Sequence, residues 1–181
     1  MRLFIALKMS PAMCTALAGL QTGFRQAGIR GNYSPEENFH LTLAFLGEVP
    51  DPDPVIEAMD SVRFTPFELE LQGIGAFRDA WWGAVQESVP LQAVVRRIRR
   101  ALDQAGIPFD KKAFRPHITL VRKPVTAGKE PAVLPPVEAR SASMTVDRFV
   151  LYRSDPGRNH MIYTPLAVFE AEPGETHLLG E

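Results

Sequence analysis

Cysteine is almost absent from this chain of 181 residues: Cys14 stands alone. That excludes an intramolecular disulfide and a cysteine-rich metal site. Long apolar runs are missing too. No uninterrupted stretch approaches the roughly 20 residues that span a bilayer. The opening Met1-Arg2-Leu3-Phe4-Ile5-Ala6-Leu7-Lys8 has only five apolar residues between its charges, too short for a signal peptide. Neither sign of charge dominates, with 20 Lys and Arg against 21 Asp and Glu and a net charge of −1, so no global field marks a nucleic-acid or membrane binder. At 45% hydrophobic and 23% charged the composition is that of an ordinary globular protein. These absences predict a cytoplasmic protein with no membrane partner. They fit one domain spanning residues 1–181, built as two interleaved lobes. No large apolar helix face is left over after core assignment, which predicts a monomer.

Histidine is scarce as well, and the chain uses two of its four in one frame. Phe39-His40-Leu41-Thr42-Leu43 returns as Pro116-His117-Ile118-Thr119-Leu120. Polar and apolar residues alternate in each copy, the pattern of a half-buried strand. Residues at i and i+2 share a strand face. His40 and Thr42 therefore point one way while Leu41 and Leu43 enter a core, and His117 and Thr119 do the same against Ile118 and Leu120. Two such strands side by side would offer one cleft two imidazoles and two hydroxyls.

Around these strands the chain repeats a plan. Leu3 to Leu7 reads as a buried strand. Ser10-Pro11 supplies an N-cap and first-turn proline, and apolar residues from Met13 to Phe24 recur at helical spacing up to Gly28. Ser34 to Glu37 is a turn or one helical turn. After the first signature, Gly47 and the prolines 50 to 54 close the strand, and Val55 to Val62 reads as a short helix. Phe67 to Leu71 alternates as a strand, with Trp81 to Gln86 as its hairpin partner. Leu91, Val94, Val95, Ile98 and Leu102 line one face of a second long helix, ended by Gly106 and Pro108. The second signature follows, then an irregular loop from Pro124 to Pro136. Strands over Ala142–Tyr152 and His160–Phe169 finish the fold, and a polar tail begins at Glu172. The expected class is α+β: bilobed, two pseudo-symmetric antiparallel β-sheets with helices on their outer faces and a central cleft. Each signature is expected to have a helix and partner strands of its own.

Imidazole titrates near neutrality, at about 6.5, so paired histidines can give and take a proton at a phosphorus centre. The neutral ring takes a proton from an attacking water, and the protonated ring gives one to the leaving oxygen. Threonine hydroxyls can donate to the non-bridging oxygens. Zinc is the other use of paired histidines, but no cysteine or acid stands at ligand spacing in either signature, so neither metal nor cofactor is expected. His160 and His177 lack a matching context and read as surface residues. Gly73-Ile74-Gly75 has no following helix, so it reads as a strand bend or bulge rather than a phosphate loop. Trp81-Trp82 straddles a strand, one ring for the core and one free to stack on a base. From Arg96 to Lys123 nine basic residues face two acids. Arg96 to Arg100 reads as the solvated face of a helix. Lys111, Lys112 and Arg115 are candidate substrate-binding cations.

Four segments carry a resemblance: residues 2–7, residues 37–47, Gly73-Ile74-Gly75-Ala76-Phe77 and residues 114–122. With Leu151-Tyr152-Arg153-Ser154, they resemble the bacterial and archaeal RNA 2′,3′-cyclic phosphodiesterases, once called 2′-5′ RNA ligases, of the two-histidine (2H) phosphoesterase superfamily. The likeness spans nearly the whole chain in order. It implies metal-independent hydrolysis of a terminal 2′,3′-cyclic phosphate of RNA or an oligonucleotide to a 2′-phosphate. It also assigns the roles that symmetry leaves open: His40 as proton donor, His117 as proton acceptor, with Thr42, Thr119 and Arg122 on the phosphate. Strand parity puts Arg122 on the face opposite His117 unless the strand ends or bulges there. Family members often have arginine at the position of Ala44, which parity places beside His40 and Thr42; Lys111, Lys112 and Arg115 are expected to compensate. The alternatives are the same chemistry on a small cyclic phosphate such as that of ADP-ribose, or a nucleotide- or RNA-binding module without turnover.

Overall fold

Nine strands and three helices alternate along the chain in a computed structural model that describes residues 1–131, 133–138 and 141–173. Strand β1 (Arg2–Lys8) is buried along its interior because both of its faces are covered. Leu3, Ile5 and Leu7 join the main core, while Phe4 and Ala6 form a smaller cluster with Val150 and Tyr152. Helix α1 (Pro11–Gln26) starts where Ser10 accepts the Met13 N–H at 3.2 Å, with Pro11 in the first turn. It ends at Gly28, whose φ of +83° is the left-handed conformation glycine takes without cost. Helix α3 (Val89–Gln104) repeats the device with Ser88.

The strands form two antiparallel sheets. One has the order β3-β1-β8-β9 and the other β2-β6-β5-β4-β7. The first signature heads β3 (His40–Glu48), at an edge of the four-stranded sheet, and the second heads β6 (His117–Val125), inside the five-stranded one. The two strands pack against each other across the sheets. The hairpin of β4 (Phe67–Phe77) and β5 (Ala80–Val85) is present, as is the short helix α2 (Asp53–Asp60).

Three expectations change. A short strand, β2 (Arg30–Tyr33), pairs with β6; its residues Arg-Gly-Asn-Tyr show no apolar alternation that would reveal it. The strand expected over Ala142–Tyr152 is two, β7 (Ser143–Val146) and β8 (Arg148–Asp155), and the break at Asp147 carries the chain from one sheet to the other. Val146 and Phe149 thereby both enter the shared core. Nor does each signature keep its own helix. Helix α1 packs on β6 and β7, whereas α3 packs on β3 and also touches β4. Gln21 of α1 donates to the Leu120 carbonyl in β6 at 3.0 Å and to the Ser34 carbonyl at 2.8 Å. Gly83 of β5 leaves space for Leu17, since a methyl group there would come within 2.7 Å of a Leu17 methyl. The exchange ties both sheets into one apolar core. The final strand β9 (Ile162–Glu170) pairs with β8. Among the described residues no helix is long and apolar enough to cross a membrane. His177 lies outside the described residues.

Candidate active site

Both signature strands bulge at the same place. In β3, Thr42 pairs with Ala6 and Ala44 with Ile5, leaving Leu43 extra. In β6, Thr119 pairs with Trp82 and Val121 with Trp81, leaving Leu120 extra. A bulge puts two successive residues on one face and reverses the parity beyond it. Leu43 and Ala44 are both buried, as are Leu120 and Val121. The residue after each pair, Phe45 or Arg122, returns to the histidine face.

This answers the parity question for Arg122: the bulge brings it to the side of His117 and Thr119. Its charge acts on His40, His117 and Tyr163. It also corrects the expectation for Ala44. The residue borders the same cavity as Thr42, but its side chain is 1% exposed and packs in the main core. Phe45 occupies that face, under the guanidinium of Arg2 at 5.0 Å from its ring centre. Between the two copies, Phe45 is thus the counterpart of Arg122.

The imidazoles are held in the same way. His40 Nδ1 lies 2.7 Å from the Asn38 carbonyl, and His117 Nδ1 lies 2.6 Å from the Arg115 carbonyl. A carbonyl only accepts, so in each ring Nδ1 is the donor and Nε2 is left for the cleft. Asn38 is itself fixed, its amide donating to the Met161 carbonyl at 2.7 Å. Each ring also has two aromatic walls. Phe4 and Tyr163 lie 5.0 and 5.1 Å from His40, and Phe77 and Trp82 lie 4.9 and 5.7 Å from His117.

Burial is the main force on both histidines and pushes their pKa values down. The carbonyl bonds oppose this by favouring the charged rings. Arg122 adds to the lowering of both, and His117 to that of His40.

The tryptophan pair straddles the strand as expected. Trp81 enters the core beside Phe24, and Trp82 lies on the histidine face. The Gly73-Ile74-Gly75 segment is a strand irregularity, with a register shift between Leu71 and Ile74 and Gly73 at φ +77°. Gly75 has a packing reason: a methyl group on it would fall on the six-membered ring of Trp82. Gly75→Ala therefore forces Trp82 out of place, and overpacking of this kind costs about 1–3 kcal/mol. We expect a lower melting temperature, altered tryptophan fluorescence and reduced turnover, because Trp82 walls His117. Wild-type melting and turnover together would remove this role for Gly75.

A cavity of about 550 Å³ opens between the sheets, lined by Thr42, Phe45, Phe77, Phe114 and His117 among others. Arg99, Lys112 and Arg115 line it too. The loop carrying Lys112 and Arg115 is tied to β3 by the Asp110 N–H, which donates to the Phe45 carbonyl at 2.8 Å. Lys111 is not in this wall; it is highly exposed and pairs with Asp103 at 3.3 Å. Arg99 was hidden by its neighbours. Its helix face reads as solvated, yet it donates to the Lys112 carbonyl at 2.8 Å and its Nε is buried without a partner. His160 is an exposed residue near Glu37, at 3.7 Å. Among the described residues, no group of three or more His, Cys, Asp or Glu side chains is clustered as metal ligands.

Two antiparallel sheets that each carry a His-x-Thr strand, the two strands in contact across the sheets, define a two-histidine architecture. The family model for the 2′-5′ RNA ligase superfamily matches residues 15–158, and the chain belongs to that superfamily. An RNA 2′,3′-cyclic phosphodiesterase of Geobacillus stearothermophilus is 37% identical over 66% of this chain, an alignment that spans 41% of that relative. One from Thermus thermophilus is 32% identical, over 93% of this chain and 89% of its own. Among solved structures, Escherichia coli LigT complexed with 3′-AMP superposes with a TM-score of 0.78 at 28% identity, covering 94% of this chain and 97% of that one.

Proposed function

We propose that this protein hydrolyses a terminal 2′,3′-cyclic phosphate of RNA or an oligonucleotide to a 2′-phosphate. The observation that carries the mechanism is the matched pair of Nδ1 bonds, which leaves Nε2 as the reactive nitrogen of each ring, with the two rings near enough for the charge of His117 to act on His40. His117 Nε2 takes a proton from water as its oxygen attacks phosphorus. The bond from phosphorus to O3′ breaks, and protonated His40 Nε2 gives its proton to that oxygen. Thr42 and Thr119 donate to the non-bridging oxygens, and Arg122 sets its charge against the transition-state anion. The scheme uses no metal ion.

The arrangement also accounts for the proton on a buried ring. Without substrate, burial and, after it, the Arg122 charge favour the neutral form of both histidines. An anionic phosphate entering between them favours the charged ring, so protonation accompanies binding. The names of the relatives support RNA as the substrate class. The aromatic and basic lining of the cavity fits a nucleotide end.

The test is hydrolysis of a cyclic-phosphate-ended oligonucleotide in EDTA, with the product isomer identified. A 2′-phosphate formed at an undiminished rate is the expected result. A 3′-phosphate product would reverse the leaving oxygen, and a rate abolished by EDTA and restored by a divalent ion would sink the metal-free scheme. Binding of the oligonucleotide with no turnover would favour a recognition module.

A further inference from the structure

Helix α3 turns its apolar side, Leu91, Val94, Val95, Ile98 and Leu102, into the core. Its other side carries Arg96, Arg97, Arg99 and Arg100. A solvated helix face ordinarily mixes charges of both signs, and like charges four residues apart, as Arg96 and Arg100 are, destabilise a helix. None of Arg96, Arg97 and Arg100 forms an ion pair with a described residue, although Arg97 donates to the Arg63 carbonyl at 3.2 Å. Two acids, Asp103 and Glu172, border the same surface, and each is held in an ion pair. Asp103 pairs with Lys111 at 3.3 Å, and Glu172 pairs with Arg63 at 3.4 Å.

The surface around these arginines is concave and adjoins the histidine cavity at Arg99. Arg99 lines the histidine cavity together with Thr42 and His117. It also lines a second depression, of about 550 Å³, shared with Arg96, Arg97 and Arg100. A third, of about 540 Å³, shares Arg97 and Arg100 and adds Arg63. Three adjoining hollows that share arginine residues are thus arrayed from the histidine cavity along α3. Guanidinium groups are the side chains that bind phosphate oxygens two at a time.

We infer that this face is a track for the backbone of a single-stranded RNA, leading from the reacting end at the histidines past Arg99 to Arg96, Arg97, Arg100 and Arg63. It rests on the reading of RNA as the substrate, and it adds where the rest of the strand goes. The track makes the enzyme favour long strands over mononucleotides by electrostatic contact, without base specificity.

The test combines Arg96→Glu, Arg97→Glu and Arg100→Glu in one variant, leaving the cavity-lining Arg99 in place. For a mononucleotide 2′,3′-cyclic phosphate, kcat/KM stays within about twofold of wild type, since the track lies outside the bond-making site. For a ten-nucleotide strand with the same end, kcat/KM falls by roughly tenfold or more at low salt. Fluorescence anisotropy of a labelled single strand ending in a 2′-phosphate supplies a readout that needs no turnover. Losing three phosphate contacts flattens the slope of log affinity against log salt by about two. A thermal melt checks the fold, and Arg→Gln at the same positions replaces Arg→Glu if the reversal unfolds the chain.

Equal losses on mononucleotide and oligonucleotide, or an unchanged salt slope, overturn the track. Binding to anionic lipid vesicles that is lost in the variant, with oligonucleotide binding intact, overturns it in favour of a membrane surface. Strand binding that depends on the arginines, with no hydrolysis of either substrate, keeps the track and removes the proposed activity. Hydrolysis of the mononucleotide, with no preference for the strand, does the reverse.

Discussion

His40→Ala and His117→Ala each lower kcat on a 2′,3′-cyclic-phosphate-ended oligonucleotide by about 10²–10⁴-fold, the range for loss of a positioned acid or base. KM changes far less, because in the proposed mechanism Thr42, Thr119 and Arg122 hold the phosphate. The double variant is little worse than either single one, since a proton relay with one member missing is already broken. Single-turnover kinetics in EDTA, with melting curves to confirm folding, make the measurement. Activity within tenfold of wild type in either single variant would place the chemistry elsewhere. The expectation is strong because both rings are pinned alike: one nitrogen is bonded to the carbonyl two residues upstream and two aromatic walls flank the ring. Only Nε2 is left to react, and nothing else among the described residues duplicates it.

The twin signatures were legible in the sequence because they are local. Alternation over five residues defines a strand face, and matching histidines on matching faces define a site. A serine cap marked the start of α1, and glycine stops marked the ends of α1 and α3, for the same reason. What escaped depends on partners distant in the chain. A bulge is a property of two strands in register, and neither Leu43 nor Leu120 carries a local mark of being the extra residue. Strict alternation therefore sent Ala44 to the wrong face and left Arg122 conditional on a bulge that only pairing could reveal. The exchange of α1 and α3 between the sheets is likewise invisible to periodicity, which says which face of a helix is apolar and not which sheet receives it. Arg99 reads like its neighbours until the loop bearing Lys112 folds against it. In retrospect a signal existed for the bulges: Leu43-Ala44 and Leu120-Val121 are adjacent apolar pairs that interrupt the alternation at equivalent positions.

Arg122→Ala lowers kcat by about 10²–10³-fold, the usual loss when one preorganised partner of the transition-state anion is removed. It also moves the pH profile, and the sign follows from the histidines. The working form holds one proton on the pair, so kcat/KM falls as rising pH strips that proton. The Arg122 charge lowers the pKa of both rings and makes the proton leave sooner. Without that charge the proton is held to higher pH, and the descending limb of kcat/KM shifts upward. Arg122→Lys separates the two effects. A lysine keeps the charge, and with it the wild-type limb, but a single ammonium replaces a planar fork, so only part of kcat returns. An alanine variant whose descending limb stays in place would mean that Arg122 does not act on the histidines. A lysine variant with full wild-type kcat would mean that its charge, and not its bidentate geometry, is what the transition state uses. The bulge at Leu120 is what makes either experiment meaningful, since without it this guanidinium would project from the far face of β6.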